Sequence, residues 1–358
     1  QDDLRRGSLC EPRTGSCIGH MRLVPCFLVD IAGLVPGASE GRGRGNAFLA
    51  DLANCNALIQ VVDAAGSTDL EGNPQGHNQT TEVARARVIE EIEFLGLELD
   101  AWIAGLLMDG WVRGVRRVQA EGDKGLVSFI HERLTGLGAT LQSVGLAHEA
   151  FRSQHTTLGS PWDWDLSIIA SLAVHLRKAL FPIHIAANKF DVAPAQVLDG
   201  VVANGCIIPC MADVELGLRR AAGADLIEYT PGSTTFSFSD STALNEAQLK
   251  ALDHMKERLE TNAGTGVATM LDTVLFDELE HIVVYPVQDE NRWTDGDGKL
   301  LPDAFVVPAA IQAKALAYKV HSDLGDGFIR GVDGRSRRVV GAEHELQDGD
   351  VLKIHAKS

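Results

Sequence analysis

Asn188, Lys189, Phe190 and Asp191 directly follow an apolar run, residues 182–187, that reads as a buried strand. A carboxylate placed just past a strand end can accept two hydrogen bonds from the edge of a guanine ring; adenine lacks that donor pair. The same four residues also suit an ordinary turn in which Asn188 and Asp191 cap the next helix, and both readings stand at this level. Asp30, Ile31, Ala32 and Gly33 form a second candidate. An acidic group at a strand end can hold a hydrated Mg2+, and a glycine amide can approach a terminal phosphate without side-chain obstruction. Each set falls at the carboxyl end of an expected parallel strand, the sheet edge at which α/β proteins bind ligands.

The elements that must position these residues follow from periodicity. Residues 21–32, MRLVPCFLVDIA, are apolar and predict a buried strand feeding the Asp30 loop. A short helix is expected over 46–52 and a second strand over 57–63, with a third at 182–187; strand, loop, helix, strand is the grammar of a parallel sheet. Between the second and third strands, Ile89, Ile92, Leu95, Leu99, Trp102, Ile103 and Leu106 recur at spacings of three and four, which predicts a long amphipathic helix. Leu126, Phe129, Ile130, Leu134 and Leu137 continue the series, so an inserted helical hairpin is expected, and a further helix over 166–180 returns the chain to the sheet. A strand at 206–210, a helix from Asp213 and another carrying Leu249, Leu252, Met255 and Leu259 complete this part. The last eighty residues read as a small α+β module, with a strand at 282–287, a helix near 311–321 and a final strand at 351–355. Its Asp- and Gly-rich turns lack the spaced ligands of a calcium loop and read as tight turns.

Composition narrows the classes. The 358 residues are 45% hydrophobic and carry a net charge of -17, which argues against non-specific clamping of nucleic acid and against DNA as a partner. Arg330, Arg335, Arg337 and Arg338 form a local basic patch in a module that is acidic as a whole, so any RNA contact would be local. No apolar run approaches the ~18 residues of a membrane span. The six cysteines, among them Cys10 and Cys17, form no tight CxxC pair and suggest free or buried thiols in a reducing cytoplasm. The twelve histidines form no metal-binding signature, and Arg42 and Arg44 read as solvated residues of a glycine-rich loop.

Longer stretches add a resemblance. DIAGLVPGASEGRGRGNAFLADL, residues 30–52, resembles the switch II signature of the Obg-like GTPases of the YchF branch, and VVDAAGSTDLEGNP, residues 61–74, continues it. ANKFD resembles that family's base-specificity motif, and PVQDENRWTDGDGKLLPDAFVVP with the C-terminal VHSDLGDGFIRGVDGRSRRVVGAEHELQDGDVLKIHAKS resembles its TGS domain, a β-grasp module. The resemblance implies an α/β fold: an incomplete P-loop GTPase-type parallel sheet with an inserted helical hairpin, followed by an α+β TGS domain. The corresponding parts are residues 1–77 and 166–277 for the GTPase domain, 78–165 for the helical insert and 278–358 for the TGS domain. It further implies GTP and GDP as substrate and product, with Asp30 and Gly33 at the phosphates, Mg2+ at Asp30, and Asn188, Lys189 and Asp191 at the base. The third base-contacting loop falls at Cys210, Met211, Ala212 and Asp213, where Met211 replaces a usual serine and Ala212 is expected to offer its amide. Leu34 sits where many GTPases carry a water-orienting glutamine and receives no catalytic role. Ribosome or RNA contact through the TGS and helical parts is what the family implies for partners.

The sequence contains no GxxxxGK[ST] phosphate loop, and a chain starting QDDLRRG is expected to be a truncated form of a complete GTPase. The competing expectation is a nucleotide-independent module that binds ribosomes or a protein through its helical and TGS parts.

Overall fold

A computed structural model describes residues 10–31, 52, 55–76, 79–155, 157–239 and 244–357. Gly33, Leu34, Arg42, Arg44 and, apart from Leu52, the expected short helix lie outside the described residues. The chain divides into two compact units: Val29–Leu271, and Gln1–Leu28 together with Asp272–Ser358.

The Val29–Leu271 unit is built on a parallel sheet of three strands, β3 (Leu58–Asp63), β4 (Ile183–Asn188) and β5 (Ile207–Pro209), in that order. Leu58 pairs with Ile183 and Asp63 with Asn188, so the two strands end level. Leu58, Val62, Ile183, Ile185 and Ala187 share one apolar core with Val88, Leu99 and Ile103 of helix α1 (Thr81–Met108) and Ile169, Leu172 and Leu176 of α5 (Leu166–Leu180). Caps set where both helices begin: the Thr80 hydroxyl accepts the Val83 amide, and the Asp165 carboxylate accepts that of Ile168.

The insert is larger than the expected hairpin. Between α1 and α5 lie α2 (Trp111–Arg117), α3 (Gly122–Leu134) and α4 (Leu141–Gln154). Helix α4 starts on a reciprocal cap between Thr140 and Ser143 and buries Val144, Ala147, His148 and Phe151. Phe151 meets Trp164 at 5.4 Å between ring centroids, and Trp164 stacks on Trp111 at 5.8 Å. After β5 come α6 (Ala212–Gly223), a two-stranded antiparallel pair, β6 (Ile227–Glu228) with β7 (Ser237–Phe238), and α7 (Glu246–Asn262).

Over its described part, residues 21–31, the expected buried strand is not formed. Only β2 (Met21–Leu23) is extended into a ladder, and it pairs antiparallel with β1 (Ser16–Ile18) rather than with the parallel sheet. The physical reason is local: Gly19 and His20 both take left-handed backbone, φ 53 and 68, the requirement of a two-residue hairpin turn of type I′. Arg22 then donates to the carbonyls of Leu301 and Pro302, fixing the hairpin on its own unit. Phe27, Leu28 and Val29 stay exposed, at 104%, 67% and 59%, without the burial that a strand inside a parallel sheet requires.

In that unit, β8 (His281–Val287), β9 (Phe305–Pro308), β10 (Phe328–Asp333), β11 (Val339–Val340) and β12 (Val351–Ala356) form one mixed sheet ordered β11-β10-β12-β8-β9, with β12 and β8 parallel. Val284, Val307 and Leu352 bury against Ala313 and Leu316 of helix α8 (Ala313–Val320). The Asp295 turn is tight, as expected. One carboxylate oxygen accepts the amides of Asp297 and Lys299, and the other accepts Arg13 at 2.7 Å. None of the six cysteines forms a disulfide.

Candidate functional site

At the carboxyl end of β4 the backbone turns abruptly. Asn188 is the last strand residue, Lys189 adopts left-handed φ 57 and ψ 28, and Phe190–Val192 form one 3₁₀ turn. This turn is tied to both neighbouring strand ends. The Asn188 carbonyl accepts the Ala64 amide at 2.9 Å, and the Phe190 amide donates to the Cys210 carbonyl at 3.1 Å. Asn188 Oδ1 accepts the amide of Ala212 at 3.0 Å. The Ala212 amide, expected to face a base, therefore serves here to hold Asn188, the first residue of the motif.

Lys189 reaches across to β3. Its Nζ donates to Asp63 Oδ2 at 2.8 Å and Ser67 Oγ at 3.0 Å. The Asp63 carboxylate also accepts the amides of Ala65 and Ser67 and the hydroxyls of Ser67 (2.6 Å) and Thr68 (2.9 Å). Burial pushes this carboxyl up, but hydrogen bonds from Lys189, Ser67 and Thr68 and the lysine charge outweigh it, leaving the group below the usual carboxylate range. Asp63 is thus an anion fixed by a nearly complete set of donors. Asp191 contrasts with it: half-buried, its carboxylate meets no donor among the described residues. Asn188, Lys189 and Asp191 are therefore brought together with Ala212. Asp30 is exposed and lies outside any strand, and Gly33 is outside the described residues.

Four supports, Asp63, Glu215, Thr265 and Gly266, were not read from the sequence. Asp63 ends a strand and precedes small and hydroxyl residues, a pattern of side-chain turn chemistry that could have flagged it. Thr265 accepts the Met211 amide on its carbonyl at 2.8 Å, and its hydroxyl donates to buried Glu215 at 2.6 Å. Glu215 also accepts Tyr229 at 2.7 Å and Arg219 at 2.6 Å. Gly266, at φ +77, lies so close to β5 that a Cβ there would stand 1.8 Å from the Pro209 carbonyl oxygen. Nothing in the spacing of Glu215 sets it apart from a solvent-facing helix residue.

A parallel sheet whose carboxyl edge carries this turn, joined to a β-grasp module, defines a GTPase-type α/β protein. Comparison sharpens the class. Residues 186–289 match the family described as Obg-like GTPase YGR210-like, G4 motif-containing domain, and residues 298–356 match the TGS domain. An uncharacterized GTP-binding protein of Methanocaldococcus jannaschii is 39% identical over 97% of this chain and 85% of its own length. One of Schizosaccharomyces pombe is 28% identical over 96% of this chain and 81% of its own. The crystal structure of a GTP binding protein from Pyrococcus horikoshii OT3 superposes with a TM-score of 0.69 at 32% identity, covering 99% of this chain and 89% of that one. The chain belongs to the Obg-like GTPases of the YchF type.

Proposed function

We propose that this protein binds guanine nucleotides at the carboxyl edge of β3, β4 and β5 and, as an Obg-like GTPase, hydrolyses GTP to GDP and phosphate. The observation that carries the reading is the contrast within one turn: Asn188 and Lys189 are locked by neighbours, whereas the Asp191 carboxylate meets no described donor. A carboxylate with open acceptor sites, carried on a turn whose backbone is held, matches the paired ring and amino N–H groups of guanine. Adenine would set a ring acceptor against it, leaving a desolvated carboxylate short of a donor. Asn188 and Lys189 hold the turn, and Ala212 acts through Asn188.

Asp30 and Gly33 are the residues that the resemblance puts at the phosphates, and Mg2+ is the ion it implies. A single exposed carboxylate with no second ligand among the described residues does not make a magnesium site. Among the described residues no helix is long and apolar enough to cross a membrane. A cytoplasmic protein that meets ribosomal RNA through the TGS module is consistent with exposed Arg330, Arg335, Arg337 and Arg338.

The test is a titration with fluorescent GDP, with GTP and ATP as competitors and magnesium present throughout. Saturable binding displaced by GTP and not by ATP is expected. Equal displacement by ATP would remove the base-recognition reading, and binding without phosphate release from GTP would confine the protein to a nucleotide-binding role.

A further inference from the structure

VVDAAGSTD, residues 61–69, is the one motif of the chain that the proposed function leaves without a task. Its geometry is specific. Asp63 is 8% exposed, yet its carboxylate gathers five donors, and the only cationic one is the lysine of the base-recognition turn. Lys189 sits in a left-handed conformation that a side chain disfavours, so something outside its own turn must hold it there. The Asp63 loop is itself held from behind. The Asp63 amide donates to Glu91 Oε2 at 2.9 Å, Arg87 donates to the Gly66 carbonyl, and both side chains belong to α1. Gly66, at φ +59, lies so close to that helix that a Cβ would stand 2.7 Å from Ala84 Cα. The first turns of α1 also grip the far side of the site: Thr81 donates to the Ala195 carbonyl at 3.2 Å and Arg85 to that of Val197 at 3.2 Å.

We propose that Asp63 is a positioning residue for base recognition: its carboxylate, with Ser67, clamps the Lys189 ammonium and so sets the turn that presents Asp191, while α1 holds the clamp in place. For its consequence this rests on the guanine reading above; the clamp itself does not. A buried carboxylate paired with a 41%-exposed lysine gains little as a surface ion pair, and its value lies in the orientation it imposes.

Two measurements on the whole chain test the clamp. The first is the acetylation rate of Lys189 against the other lysines, read by mass spectrometry in wild type and Asp63→Asn. Losing the carboxylate frees the amine from its two hydrogen-bond acceptors' grip, so Lys189 should react severalfold faster in the variant; an unchanged rate overturns the clamp. The second is a double-mutant cycle on GDP affinity with Asp63→Asn, Lys189→Met and the pair. Each single change should weaken binding about tenfold and the pair no more than either alone, because both remove one interaction. Independent, multiplying losses would overturn the positioning role even if both variants bind poorly. Ser67→Ala, which removes one donor and one acceptor from the same site, gives a milder version should Asp63→Asn melt early. If wild type binds no guanine nucleotide while Lys189 of Asp63→Asn still reacts faster, the guanine reading falls and the clamp stands.

Discussion

The turn after β4 and the segment around Asp30 are both short, both carry an Asp that sequence marks for nucleotide chemistry, and they fare differently in the structure. Around Asn188 and Lys189, hydrogen bonds arrive from the loops after β3 and β5, and α1 holds the β3 loop from behind. Around Asp30 the apolar neighbours Phe27, Leu28 and Val29 face solvent, and the preceding residues are drawn into a hairpin. A motif becomes a site only where neighbouring elements over-determine its backbone, since one left-handed residue such as Lys189 needs outside support to persist. The contrast predicts that changes at the β4 turn and its supports will be costly and that changes at Asp30 will not.

The sharpest break should come from Asp191→Asn. The amide can no longer accept two N–H groups and turns its own N–H toward a ring N–H, so GDP affinity should fall by about 3 kcal/mol or more, roughly a hundredfold. Xanthine nucleotides, which carry a carbonyl where guanine carries its amino group, should then compete better than GDP. Displacement titrations on the variant decide it, and unchanged GDP affinity would remove Asp191 from the site.

Next in size is Glu215→Ala. It strips the acceptor from the buried hydroxyls of Tyr229 and Thr265 and loosens the loop that holds the Met211 amide. Two unsatisfied buried groups should cost about 2–4 kcal/mol, visible as a lower urea midpoint at unchanged slope. Asp63→Asn gives a smaller, pH-dependent effect. Its carboxyl is held below the usual range in the folded protein, so its stabilisation is complete above the ordinary carboxylate pKa of about 4 and is lost as pH falls through the folded value. The gap in stability between wild type and variant should therefore be constant at neutral pH and close in acid. A gap that widened toward acid would contradict the donor set assigned to Asp63.

Much of this architecture was legible because it follows from periodicity. The strands at Leu58–Asp63 and Ile183–Asn188 and the long helix Thr81–Met108 announce themselves by apolar runs and three-four spacing. Helix α4 escaped because its buried stripe is Val144, Ala147, His148 and Phe151, in which a small residue and a histidine stand where bulky apolar side chains would signal a core. The strand expected over 21–32 went astray because a two-residue turn at Gly19 and His20 outcompeted a pattern that only distant neighbours could satisfy. Within the site, the residues of the turn were readable and their holders were not. Asp63 and Lys189 lie 126 positions apart, and no local rule pairs them.

The smallest expected effect is the most useful control on the comparison. Asp30→Ala removes an exposed carboxylate that no described residue engages, so it should leave the thermal midpoint within about 1 °C and GDP affinity within about twofold. Asp191→Asn, measured beside it, should lose about a hundredfold. Should Asp30→Ala instead weaken GDP binding as much as Lys189→Met does, the segment around Asp30 must join the site when nucleotide is present.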